Sequence, residues 1–144
     1  MFGGFWERAK GEELSTGELS INDIAHGNGL WVAVGGSSIG YAVWSEDGVH
    51  WTKSTWASGS STTTLLTVAY GNGTWVAGKS AVAKSPIQYS TDGKEWATSS
   101  FASSTSYNAR VWFVHDTFFA GLQDEYQGRG LRRSVDGITW STAG

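Results

Sequence analysis

Short hydrophobic runs alternate with turn-forming residues from residue 21 to residue 142. The runs are rich in Val, Ile, Trp, Tyr and Phe, and Gly, Asn, Asp and Ser separate them. Such runs predict β-strands, and the Asn-Gly and Asp-Gly steps between them predict tight hairpins. We predict four strands in each third of the chain: 21–26, 30–34, 40–44 and 50–55, then 65–70, 74–78, 87–89 and 95–98, then 110–114, 118–121, 130–133 and 139–142.

Two phrases repeat along the chain at nearly fixed spacing. Gly-Asn-Gly-x-Trp-Val-Ala stands at 27–33 and again at 71–77. Ser-x-Asp-Gly-x-x-Trp stands at 45–51, 90–96 and 134–140, so its aspartates are 45 and 44 residues apart. A period of about 40–45 residues is typical of the four-stranded blade of a β-propeller. The third unit lacks Gly-Asn-Gly and has Val114, His115 and Asp116 there.

These repeats predict an all-β fold of three four-stranded antiparallel propeller blades, at about 20–57, 65–100 and 108–144 in a domain of residues 20–144. A β-trefoil is the alternative, because it also builds three four-stranded repeats, although its repeat signature differs. Residues 1–19 form an arm outside the repeats. Propellers have about four to eight blades, so three blades cannot enclose an axis. We therefore expect a homo-oligomer, preferably two chains that form six blades.

The composition narrows the functional classes. A net charge of −3 gives no electrostatic footprint for nucleic acid. There is no cysteine, no apolar stretch long enough to insert into a membrane, and no signal peptide visible in residues 1–10. The three histidines occupy unrelated places and suggest no ligand set, so we expect neither a metal nor a cofactor.

The Ser-x-Asp-Gly-x-x-Trp phrase has a structural explanation. Ser and Asp side chains bond nearby backbone N–H groups in turns, and Gly takes the positive-φ position. The Trp folds back under the hairpin, where we expect it to pack against the next blade. We assign this structural role to Ser45, Asp47, Gly48, Trp51, Ser90, Asp92, Gly93, Trp96, Ser134, Asp136, Gly137 and Trp140.

The same phrase resembles the Asp box, or bacterial neuraminidase repeat, of sialidase-like propellers. Its contiguous Asp-Gly is similar to repeats common in bacteriophage tail and virion proteins. The resemblance implies a non-enzymatic structural or attachment module of a virion. The arm would then dock onto other virion proteins through Phe2, Phe5 and Trp6.

Two alternatives to the virion module remain open. One is a carbohydrate-binding, lectin-like domain, and the other is a degenerate sialidase-like glycoside hydrolase fragment. Against an active sialidase, the chain lacks the Phe/Tyr-Arg-Ile-Pro phrase of that family, and its only proline is Pro86. We therefore assign no catalytic residue.

Candidate binding positions lie outside the repeat phrases. Asp23, Thr67 and Arg110 occupy equivalent places on the innermost strands, and Asp23 and Arg110 are expected in the central channel or across a closing junction. The hairpin at 123–130 is the longest of its kind, and long loops on a rigid scaffold often carry function. A glycan would be contacted from positions outside the repeat pattern: Asp124, Glu125, Tyr126, Arg129 and Trp56.

Overall fold

A computed structural model describes residues 20–57, 63–80, 86–100, 108–123 and 130–142. The described residues form thirteen strands and no helix. The strands of the first third are β1 Ile21–Gly27, β2 Leu30–Gly36, β3 Gly40–Ser45, β4 Thr52–Lys53 and β5 Thr55–Trp56. Those of the second are β6 Leu65–Gly71, β7 Thr74–Lys79, β8 Ile87–Ser90 and β9 Glu95–Thr98. The last third contains β10 Asn108–Val114, β11 Thr117–Gln123, β12 Leu131–Ser134 and β13 Ser141–Thr142.

Each third of the chain folds into an antiparallel meander, which we call a blade. Blade 1 has the order β1-β2-β3-β4, and blade 3 has the order β10-β11-β12-β13. Blade 2 has five strands in the order β6-β7-β8-β9-β5. Consecutive strands pair because their connections are short, so each meander is specified locally. The predicted all-β fold of antiparallel propeller blades is confirmed, and separate blades side by side exclude the trefoil alternative.

The hairpins between the first two strands of each blade share one backbone conformation. Asn28 and Asn72 both have φ of 49°, and a glycine with positive φ follows each of them. His115 and Asp116 adopt the same left-handed region, with φ of 48° and 57°. The third blade therefore retains this turn although its sequence has lost Gly-Asn-Gly.

The predicted strand 50–55 is wrong in one respect, because the chain leaves blade 1 in the middle of it. β4 pairs with β3 in blade 1, whereas β5 pairs in parallel with β9 of blade 2. Ser54 is buried at the crossing, and its Oγ donates to the Gly93 carbonyl at 3.2 Å. A continuous run of residues thus serves two sheets.

The core consists of two layers, one in each junction between neighbouring blades. We call the side of a blade that faces the following blade its back face, and the side that faces the preceding blade its front face. Leu30, Val32 and Val34 on the back face of blade 1 pack against Val68 and Trp75 on the front face of blade 2. The second junction buries residues of blades 2 and 3 in the same arrangement: Ala69, Val76, Ile87, Val111, Phe118 and Ala120.

Two faces of this arc stay uncovered, the front of blade 1 and the back of blade 3. No strand ladder and no core cluster joins blades 1 and 3 among the residues described. Every exposed large hydrophobic residue of the described ranges belongs to these two blades: Ile21, Ile24, Trp31, Ile39, Trp112, Val114, Leu131 and Val135. Blade 2 has none because both of its faces are buried.

Candidate functional site

The three Asp boxes build the turns that join the third and fourth strands of each blade. Ser45 Oγ accepts from the Gly48 N–H at 2.8 Å and donates to Asp47 Oδ1 at 3.0 Å. Asp47 Oδ1 also accepts the backbone N–H groups of Val49 and His50, both at 2.8 Å. The same bonds recur in the other two boxes, at Ser90, Asp92 and Gly93 and at Ser134, Asp136 and Gly137.

Hydrogen bonding keeps all three carboxylates ionised. The His50 side chain, followed by the backbone N–H groups of His50 and Val49, lowers the pKa of Asp47 far below its usual range. For Asp92, burial alone would raise the pKa, but the combined bonds from Glu95, Lys94 and Ser90 lower it. The bond from the Thr139 N–H is the main cause that lowers the pKa of Asp136. The three carboxylates therefore act as hydrogen-bond acceptors that close the turns.

Two of the three box tryptophans pack on the front side of their own blades. Trp96 lies in the core between blades 1 and 2, and Trp140 packs against the core between blades 2 and 3. The expectation that each indole packs against the next blade is therefore wrong. The indole N–H groups of Trp51 and Trp140 each donate to the carbonyl of their own box glycine at 3.2 Å.

Trp96 differs, because its buried indole N–H has no partner. The carbonyl that it would use, that of Gly93, accepts the Ser54 hydroxyl instead. The crossing of the chain from blade 1 to blade 2 therefore displaces one hydrogen bond of the repeat.

Asp23, Thr67 and Arg110 occupy equivalent places on the back faces of the three blades. Asp23 and Thr67 reach into the junctions. Asp23 Oδ2 accepts the Val68 N–H of the next blade at 2.9 Å. Thr67 Oγ1 accepts the Val111 N–H of the next blade at the same distance. Each side chain thus pairs the innermost strand of its blade with that of the following blade. Arg110 holds the equivalent place in blade 3, whose back face no described strand covers.

A groove of about 470 Å³ opens on the uncovered back face of blade 3. Arg110, Asn108, Trp112 and Gln123 contribute its polar and aromatic lining, and Leu131 adds an apolar wall. The side chain of Trp112 is 48% exposed. Its indole lies over Gly121, where a Cβ would come within 3.2 Å of the ring. The groove is therefore a concave apolar surface with a guanidinium and two amides at its border.

Trp112 was missed at the level of sequence, although a signal for it exists. In the strand registers, Ala25 pairs with Val32, Ala69 with Val76, and Trp112 with Phe119. An indole thus replaces the small side chain that both internal junctions bury at this place. Aligning the three inner strands by register would have singled it out.

Of the remaining predicted binding residues, Trp56 is the one that the structure describes, and it does not line this groove. Trp56 is half-buried at the outer edge of blade 2, with its ring 6.0 Å from that of Trp96. The hairpin residues between Gln123 and Gly130, which both border the groove, lie outside the described residues: Asp124, Glu125, Tyr126 and Arg129. Phe2, Phe5 and Trp6 of the arm also lie outside them.

Neither a metal site nor a membrane-spanning helix occurs in the described ranges. They contain no group of three His, Asp or Glu side chains placed to hold a metal ion. They also contain no helix of the length and hydrophobicity that a membrane crossing requires.

No protein-family model matches the chain, and no curated protein matches it. Solved structures that resemble it include a GH32 β-fructofuranosidase from Bombyx mori in complex with sucrose and the arabinanase Arb43A from Bacillus subtilis. The first is 14% identical over 86% of this chain and 35% of its own, with a TM-score of 0.46. The second is 13% identical over 88% of this chain and 55% of its own, with a TM-score of 0.42. The chain therefore spans about a third and about half of these two propeller proteins.

The expectation of a non-enzymatic attachment module of a bacteriophage virion is wrong. Both of these solved structures are glycoside hydrolases, and neither is a virion component. The expectation that the protein is not an enzyme is contradicted by the same finding. The physical reason is that the Asp box serves turn geometry, which any propeller can use. Its contiguous Asp-Gly therefore carries no information about a virion.

Proposed function

We propose that this chain is a carbohydrate-binding piece of a glycoside-hydrolase-like β-propeller, and that a saccharide lies in the groove of blade 3 against Trp112. The observation that carries the proposal is the exposed indole beside Arg110 on an uncovered sheet face. Ligand sites are concave, mostly apolar and bordered by a few polar groups. The groove has all three properties, and its volume lies within the ~300–1,000 Å³ of small-ligand sites.

The polar groups of the groove suit a saccharide. Sugar rings present an apolar C–H face, which packs on an aromatic ring, and hydroxyl groups at their edges. Arg110 supplies hydrogen-bond donors, while the Asn108 and Gln123 side chains supply both donors and acceptors. Because a large aromatic side chain loses little conformational freedom when a ligand covers it, Trp112 is suited to be the main contact.

Catalysis is not assigned to a residue of the groove. Glycoside hydrolysis ordinarily requires a pair of carboxyl groups that flank the scissile bond. None of the described residues that line the groove is an aspartate or a glutamate. The proposal is therefore restricted to recognition, and turnover is measured in the same experiment.

A glycan array followed by calorimetry with the best ligand tests the proposal. Trp112→Ala is expected to weaken binding at least tenfold, which corresponds to about 1.4 kcal/mol. Trp31→Ala is the matched control, because Trp31 is an exposed strand tryptophan on the opposite end of the arc. Arg110→Gln should weaken binding as well, since it removes the guanidinium.

Three results would contradict this proposal. One is that the chain binds no glycan of the array, and another is that the Trp31 control loses as much affinity as Trp112→Ala. The third is saturable binding that survives both Trp112→Ala and Arg110→Gln, which would place the saccharide elsewhere. Release of product from chromogenic glycosides by the wild-type chain would add hydrolysis to the function of the groove only if Trp112→Ala reduces it.

A further inference from the structure

The front face of blade 1 has the side chains of a blade junction but no blade on it. Its paired residues His26 and Trp31 correspond to Tyr70 and Trp75 in blade 2, as the registers of the two hairpins show. The ring centroids of each pair are 4.3 Å and 4.6 Å apart. Yet Trp75 is 1% exposed under blade 1, whereas Trp31 is 38% exposed.

The innermost strand repeats this contrast. Ile24 corresponds to Val68 and Val111, which are both buried in junctions, but Ile24 itself is 51% exposed. The N–H groups of Val68 and Val111 donate to side chains of the preceding blade. The Ile24 N–H instead donates to the carboxylate of its own neighbour Asp23 at 2.9 Å. Among the described residues, the Ile24 N–H thus has no acceptor from a preceding blade, unlike its equivalents in blades 2 and 3.

The two internal junctions define what such a preceding blade must carry. Its inner strand has a side chain that accepts a hydrogen bond, an alanine two residues later and a glycine four residues later. This pattern is Asp23-x-Ala25-x-Gly27 in blade 1 and Thr67-x-Ala69-x-Gly71 in blade 2.

The glycine of this pattern makes room for an aromatic ring of the following blade. A Cβ at Gly27 would lie 2.0 Å from the Tyr70 ring, and a Cβ at Gly71 would lie 2.3 Å from the Phe113 ring. No side chain other than hydrogen fits there without a shift of the junction.

The back face of blade 3 departs from the pattern at all three places. Arg110 replaces the acceptor, Trp112 replaces the alanine and Val114 replaces the glycine. Arg110 cannot accept a hydrogen bond. Val114 has a Cβ where an incoming ring would have to lie, and overpacking of a tight contact is destabilising. A second copy of the chain is therefore poorly suited to dock head to tail, and the two-chain ring expected from the sequence is the competing hypothesis that the experiment below tests.

We infer that the front face of blade 1 is a docking surface for a further propeller blade whose inner strand reads acceptor-x-Ala-x-Gly, supplied by a partner other than blade 3 of a second copy. The surface consists of Ile24, His26 and Trp31. Its residue types resemble those of the two junctions inside the chain. The rings of His26 and Trp31 already have the arrangement of the corresponding pair Tyr70 and Trp75 in blade 2. The back face of blade 3 ends the arc instead of extending it.

The repeat phase of the sequence supports this occupant. Trp6 precedes Trp51 by 45 residues, and Trp51 precedes Trp96 by the same interval. Gly3 stands three residues before Trp6, as Gly48 stands three residues before Trp51. Gly3 and Trp6 thus keep the spacing of the box, although residues 1–19 otherwise lie outside the repeats.

The chain itself provides the partner for a test. In the triple variant Arg110→Thr/Trp112→Ala/Val114→Gly, the back face of blade 3 acquires the pattern of blade 2. Sedimentation equilibrium should give a monomer for the wild type and a doubled molar mass for the triple variant. Adding Trp31→Asp to the triple variant should restore the monomer. Adding Ile39→Asp, an exposed apolar residue outside the front face, should leave the dimer intact.

Each outcome decides the inference. A folded triple variant that stays monomeric at 100 µM overturns it, as does a dimer that survives Trp31→Asp. A wild-type dimer that depends on Trp31 also overturns it, because blade 3 would then accept a second copy. If circular dichroism shows that the triple variant does not fold, Val114→Gly alone replaces it, since this change removes the main steric block. That variant must then associate at least tenfold more tightly than the wild type, and through Trp31.

Discussion

The bond between Thr67 and Val111 tests whether inner-strand side chains join the blades. Thr67 is buried, and its Oγ1 accepts the buried Val111 N–H at 2.9 Å. Thr67→Val keeps the shape of the side chain but removes this acceptor. A buried donor left without a partner costs about 1–3 kcal/mol. The added apolar contact offsets about 0.8 kcal/mol of this, so we expect a net loss of about 0.2–2.2 kcal/mol, with a central value of about 1 kcal/mol.

Urea unfolding measures this loss as a lower midpoint with an unchanged slope. In thermal unfolding the same loss is a decrease in Tm of roughly 2–4 °C for each kcal/mol in a chain of this size. Thr67→Ser retains the acceptor and should recover at least half of the stability. Thr117→Val is the matched control, because it removes an exposed bond from Thr117 to the His115 carbonyl that water can replace. Equal stability of Thr67→Val and the wild type would refute the argument that this bond joins blades 2 and 3.

Three further predictions concern the turns and the junctions. The Asp-box carboxylates have a pKa below the unfolded value of about 3.9. The stability that they contribute is therefore present above that pH and is lost as the pH falls through the folded pKa. Tm should decrease below pH 4, and the decrease should be smaller in Asp92→Asn. Gly27→Ala places a Cβ 2.0 Å from the Tyr70 ring and should cost about 1–3 kcal/mol in chemical unfolding, so a variant of wild-type stability would contradict the tight first junction. Ser54→Ala frees a carbonyl for the unpartnered indole N–H of Trp96, and it should therefore destabilise the chain by less than about 1 kcal/mol, as thermal unfolding would show.

Much of the fold could be predicted because the responsible interactions are local. Hairpin turns need positive φ at one or two positions, and Asn28, Gly48 and Asn72 stand where the backbone has it. The Asp box closes its own turn through bonds that span three residues at most. Such contacts depend only on residues that are close in the chain, so repeat number, strand order and turn positions could all be derived from spacing.

The candidate site could not be derived in this way, because exposure is decided by what lies on the other side of a strand. Trp75 and Trp31 occupy the same place in the same phrase, but one is buried and the other is exposed. Trp112 stands in an inner strand whose alternating pattern is that of the buried inner strands, yet it is 48% exposed. Only the arrangement of the three sheets shows which face of each blade is covered among the described residues.

The sequence by itself therefore determined the blades: their number, their hairpins and the side chains that close each turn. The tertiary structure alone decided which faces are covered, where β5 crosses to the second sheet, and that Arg110 and Trp112 share a groove. The physical reason is the range of the interactions. Turns and strand pairs form between near neighbours, whereas a junction joins residues more than 40 positions apart whose contact depends on the packing of whole sheets.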